Sequence, residues 1–91
     1  VYNPQFFLDL KLCNDCNQHT EEHYNALAIS LVNLIKKYHA EEQVFINCGT
    51  KDLLLKIQYL NPDLRLIYNI GSGSFEDGMI IARDNGFYGV E

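Results

Sequence analysis

Four short strand-like runs alternate with three stretches of helical period, and nowhere do two strands meet through a two-residue turn. That order constrains the fold more than any single motif. Residues 6–12, FFLDLKL, alternate: Leu8, Leu10 and Leu12 take one side, Phe7, Asp9 and Lys11 the other, the period-two pattern of a strand. From Thr20 the period changes, and Tyr24, Leu27, Ala28, Leu31, Leu34, Ile35 and Tyr38 recur at three and four residues. This is the stripe of an amphipathic helix, with Thr20 as N-cap, Glu21 and Glu22 in the first turn and Lys36 and Lys37 in the last, all suited to the helix dipole.

Residues 44–48, VFINC, form a short apolar run ending at Gly49, as a buried strand does. Thr50 caps a second helix carrying Leu53, Leu54, Ile57 and Leu60, and Asn61-Pro62 stops it, because proline disfavours helix in the residue before it. Residues 64–70, LRLIYNI, read as a third strand. Ser74 opens an S-x-x-D capping box with Asp77, and residues 79–84 form a short helix ending near Asn85-Gly86. Residues 87–90 are the last strand. Strands joined through helices run parallel, so a parallel α/β architecture with the order βαβαβαβ follows. The later strands begin about twenty residues apart, a spacing that suits a repeated βα barrel, the TIM (β/α)8 type.

The 91 residues amount to one domain at most, and 47% are hydrophobic, enough for a packed core. A formal net charge of −5 and scattered basic residues exclude a broad nucleic-acid face, which needs clustered Lys and Arg. No run approaches the roughly 20 apolar residues of a membrane span; residues 26–35 are interrupted by Ser30 and Asn33. Three cysteines do not complete a disulfide framework, which favours a reducing, cytoplasmic setting. The chain opens on Val1 and not Met, so residues 1–91 are expected to be a single partial domain of a longer chain.

In a βα barrel one strand face meets the outer helices, and the other points inward, with the chemistry at its C-terminal end. The three leucines suit the outer side. Asp9 and Lys11 then point inward, where a carboxylate can hold a hard divalent cation and an ammonium can neutralise a phosphate. The plainer reading is the solvated side of an ordinary half-exposed strand.

FFLDLK resembles the strand that reads N-I-E-I-K in glycerophosphodiester phosphodiesterases. The likeness continues through LVNLIKKYHAEEQVFINCGTKDLLLKIQYLNPDLRLI, where that family carries a helix ending L-I-K-K-Y, a V-x-V-S-S-F strand, a second helix and P-D-L-R-L. The closing FYGVE is similar to A-D-G-V-N. The resemblance implies about strands four to seven of a TIM barrel that cleaves glycerophosphodiesters to glycerol 3-phosphate and an alcohol, a reaction of glycerophospholipid metabolism. It implies a divalent metal, Mg2+ or Ca2+, with Asp9 as metal ligand and Lys11 as the active-site lysine. Asp9 is one methylene shorter than the family's Glu, so the metal would sit closer or be reached through water. The family's catalytic His beside Arg and Gly, its E-x-D pair and its His-Asp do not occur in this chain. The acid and base that phosphodiester cleavage requires are therefore missing from these 91 residues. A part-barrel also exposes two edge strands, an invitation to self-association.

Two non-enzymatic readings stand beside this one: a degenerate barrel segment that serves binding or oligomerisation, and a small zinc-binding α/β domain. Cys13-x-x-Cys16-x-x-His19 has zinc-ligand spacing, with Cys48 as a fourth ligand. Against zinc, a complete site usually shows a second paired knuckle, and Cys13 and Cys48 also suit small buried apolar positions. The loop Gly71-Ser72-Gly73-Ser74 follows a strand and opens a helix, so its N–H groups could cradle a phosphate. Glu76 and Asp77 would repel an anion there, and a simple βα loop is the expectation. The aromatic groups Tyr2/Phe6/Phe7, Tyr68/Phe75 and Phe87/Tyr88 are expected in the core, and His39 at the surface beyond a helix end.

Overall fold

The computed structural model describes residues 4–12 and 20–91. Its elements follow the order read from the sequence: β1 (Phe6–Leu10), α1 (Glu21–Lys37), β2 (Val44–Cys48), α2 (Lys51–Leu60), β3 (Arg65–Tyr68), α3 (Phe75–Asn85) and β4 (Gly89–Val90). The four strands form one parallel sheet in the order β1-β2-β3-β4. Among the described residues β1 and β4 are its edges.

The helix ends carry the signals expected of them. Thr20 Oγ1 accepts from His23 N at 3.1 Å to start α1. At its other end His39 adopts φ 53°, while its N–H bonds the Lys36 carbonyl and the Ala40 N–H bonds the Ile35 carbonyl. Helix α3 closes the same way with Gly86 at φ 70°. A left-handed residue at that position satisfies the last carbonyls, usually as glycine, and histidine is one of the side chains that tolerates it.

Several boundaries differ from the sequence reading. Helix α3 begins at Phe75, not Met79, because Ser74 Oγ caps it by accepting from Asp77 N at 3.4 Å. Strand β1 stops at Leu10, leaving Lys11 and Leu12 just beyond it. The third strand is shorter than 64–70, although Asn69 N still bonds the Cys48 carbonyl and Ile70 N the Glu91 carbonyl. The last strand is Gly89–Val90, and Phe87 is instead a buried core residue. Thr50 occupies the N-cap of α2 without a side-chain cap bond.

All three helices lie on one side of the sheet. Val44, Ile46 and Cys48 of β2 and Leu66 of β3 join Ala28 and Ile35 of α1, Leu53, Leu54 and Ile57 of α2, and Ala82 of α3 in a single buried cluster. Leu8, Leu10, Leu12, Tyr68 and Val90 pack at its margin. Leu34, Tyr38 and Leu60, counted into the helix stripes from spacing, are exposed; Val32 packs against the core in α1. At Gly78 of α3 an added Cβ would stand 2.0 Å from Ile70 Cγ2, so only glycine lets this helix approach so closely. Helices on one face alone are the pattern of a barrel wall and not of a doubly wound sheet.

Candidate functional site on the open face

The face away from the helices is assembled by strand register. Side chains in register on neighbouring strands share a face, and Asp9 pairs with Asn47, Asn47 with Ile67, and Ile67 with Gly89. One step toward the strand starts, Phe7 pairs with Phe45 and Phe45 with Arg65. The open face thus has a polar end at the strand C-termini and an aromatic end at the strand starts.

Asp9 lies near the end of β1, and Lys11 Nζ stands 3.3 Å from its Oδ2. The two side chains are 43% and 82% exposed, so this is a solvent-screened ion pair of small energetic weight. Asn47 contrasts with both. It is the one buried polar residue among those described, at 2% exposure. Its Nδ2 donates to Glu91 Oε2 at 3.2 Å, a bond that reaches across β3. A carboxylate on that side fixes which end of the amide faces it, since only the NH2 group can donate. The opposite atom, Oδ1, is buried and has no partner.

Glu91 and Asn47 were not singled out as site residues by sequence reasoning. Asn47 carried a readable signal, as the one polar residue inside the buried run VFINC. Glu91 carried none, because its role depends on a strand register that no local pattern encodes.

The oxygen donors on this end suit a hard divalent cation and not a soft one. Among the described residues no group of three or more His, Cys, Asp or Glu side chains converges as a metal site. Of these residues Asp9 could hold such an ion only with water or a phosphate supplying the remaining ligands.

The histidines stand elsewhere. His23 is in the first turn of α1 and His39 just past its last, and neither belongs to a strand. Cys13, Cys16 and His19 lie outside the described residues. Cys48 is 1% exposed, on the helix side, and its Sγ accepts from Thr50 N at 3.3 Å. Burial pushes its thiol pKa up, with the Thr50 N–H partly offsetting this. In the glycine loop, Gly71 N donates to Asn69 Oδ1 at 2.8 Å and Gly73 N to the Ile70 carbonyl at 2.8 Å. Two of the N–H groups that a phosphate would need are already used. The loop is a βα turn in which Gly71 takes φ 58°.

The aromatic end corrects an expectation. Phe6, Phe7, Phe75 and Tyr88 are not core but exposed. For Phe7 the physical reason is the one-sided helix layer: alternation sends Phe7 and Phe45 to the face no helix covers. There the two rings stack at 5.8 Å, Tyr88 meets Phe45 edge-on at 5.4 Å, and the Arg65 guanidinium lies 3.9 Å over the Phe45 ring. Arg65 also bonds Gln5 Oε1 and the Glu42 carbonyl.

A concavity of about 820 Å3 lies between α1 and α2 and is lined by Tyr24, Ile29, Leu55 and Tyr59 among others. It belongs to the helix layer and shares no residue with the polar end of the sheet. No helix is long and apolar enough to cross a membrane among the described residues.

The fold is a TIM-barrel-like segment: a parallel four-stranded βαβαβαβ sheet with its helices on one side. Among solved structures it is similar to that of a proposed glycerophosphodiester phosphodiesterase from Galdieria sulphuraria, with a TM-score of 0.74 and 22% identity. The match covers 99% of this chain and 35% of that one, so the chain spans about a third of that protein's length. No protein-family model matches the sequence, and no curated protein matches it.

Proposed function

We propose that this chain supplies one wall of a metal-dependent phosphodiester hydrolase site of the glycerophosphodiester phosphodiesterase kind, with Asp9 as metal ligand and Lys11 as the phosphate-facing cation. The observation that supports it most is the placement of Asp9 and Lys11 together at the strand C-termini of the open face, in a fold shared with a proposed enzyme of that class. When bound, Mg2+ or Ca2+ would polarise the phosphoryl oxygens. Asp9 contributes a carboxylate oxygen to hold the ion. Lys11, mostly exposed and paired among the described residues with Asp9, can turn its ammonium onto a phosphate and stabilise charge that develops there. The described histidines, His23 and His39, stand off the strands, and the proton-transfer groups are expected from outside this wall.

Calorimetric titration of the 91-residue chain with glycerol 3-phosphate in the presence of Mg2+ tests the reading. Weak, metal-dependent binding that disappears in K11M is expected. Binding that is unchanged in K11M contradicts the role of Lys11, and hydrolysis of glycerophosphocholine by the isolated chain contradicts the missing acid and base.

The alternative, a non-catalytic segment that self-associates, draws on the two edge strands β1 and β4 and the exposed Phe7 and Tyr88 beside them. A sedimentation profile of a compact monomer would count against it.

A further inference from the structure

We infer that Asn47 is a second oxygen ligand of the cation held by Asp9, and that Glu91 is the residue that positions it. This inference rests on the metal-site reading of Asp9 and extends it to two residues which that reading does not use.

An amide carbonyl that is buried and unpaired is costly, so a protein keeps one where something arrives to satisfy it. Asn47 Oδ1 is such an atom, on a side chain 98% withdrawn from solvent (2% exposed). Its orientation is imposed. Glu91 lies on the β4 side of β2 and accepts a hydrogen bond from Nδ2, which turns Oδ1 away from β4. The strand on the other side of Asn47 is β1, and its residue in register is Asp9. A carboxylate oxygen and an amide oxygen on adjacent strands of one face repel each other when nothing lies between them. A divalent cation removes that conflict, and side-chain amide and carboxylate oxygens are both among its ordinary ligands. Lys11, whose ammonium neutralises Asp9 at 3.3 Å, is the charge the cation displaces, and its high exposure lets it leave.

Glu91 fits the part of an orienting group and not of a ligand, because its carboxylate is on the Nδ2 side of the amide. Groups that orient metal ligands in this way are worth roughly 10- to 100-fold in metal affinity. Glu91 therefore acts on a site whose first member lies in β1, through one hydrogen bond across β3.

Mn2+ is a suitable probe, because its uptake by the 91-residue chain is read by electron paramagnetic resonance without any turnover. The wild-type chain is expected to bind Mn2+, N47A to bind it about tenfold or more weakly, and N47D, which keeps an oxygen at that place, to bind it at least as well as wild type. E91L frees the amide to rotate and is expected to weaken Mn2+ about tenfold, while E91Q, which can still accept from Nδ2, loses less. Thermal melts of each variant show that the sheet persists. Mn2+ affinity abolished by D9N but unchanged in N47A overturns the inference and leaves Asp9 as a ligand; absence of Mn2+ uptake by the wild-type chain overturns both.

Discussion

The two faces of the sheet are built from the same alternating strands and do opposite things. On the helix side Leu8, Leu10, Val44, Ile46, Cys48 and Leu66 join one apolar cluster, and Ile46, Cys48 and Leu66 are sealed. On the open side one row is aromatic and stacked, and the next holds an exposed ion pair, a buried amide and an orphan acceptor. The helix side is satisfied and the open side is not. Unsatisfied groups are where a fold departs from its own stability and where function is sought.

That contrast can be broken by substitution. The largest loss is expected on the helix side: L53A empties a fully buried position between α2 and the sheet and should cost about 2–5 kcal/mol in urea unfolding. G78A follows, at about 1–3 kcal/mol, because its methyl enters the space of Ile70 Cγ2. The same change measured in an I70A background should cost less, since the clashing atom is gone. On the open face N47L should fall within about 1 kcal/mol of wild type in either direction. It removes an orphan acceptor, and exposed Glu91 recovers water in place of its lost donor. A loss as large as that of L53A would show that Asn47 serves the core and not a site.

The smallest effect belongs to the outer surface of the helices. Lys56, at 2.9 Å, holds the Glu21 carboxyl below its ordinary range through a hydrogen bond and its charge. A carboxyl depressed in the folded state adds stability above its unfolded pKa, and that stability is lost as pH falls through the lowered folded value. E21Q is therefore expected to lower stability slightly near neutral pH and to match wild type at low pH, which flattens the acid limb of the profile. Fully exposed pairs contribute little, so a large change at pH 7 would be unexpected.

Much of this was legible in the chain. The change of period at Thr20, the proline after Asn61 and the lack of hairpin turns were enough for the element order and the parallel sheet, because those signals are local. Asp9 and Lys11 were legible for the same reason, as the polar members of an alternating run. The placement of the aromatics was not, since alternation shows that Phe7 and Leu8 face opposite ways without showing which face the helices cover. Nor was the Asn47–Glu91 bond, which joins residues 44 positions apart and exists only once β2, β3 and β4 are in register. Glycine 78 was hidden likewise, because its need for a bare Cα arises from Ile70 on another element.

The central claim is that the chemistry of this chain lies on the open face at the strand C-termini. Backbone amide shifts of the 91-residue protein, recorded by NMR during titration with glycerol 3-phosphate and Mg2+, test it most directly. Shifts are expected to concentrate at Asp9, Lys11, Asn47 and Gly89 to Glu91, with little change along α1 and α2. Shifts centred on Tyr24, Ile29 and Tyr59, in the groove between those helices, would contradict it.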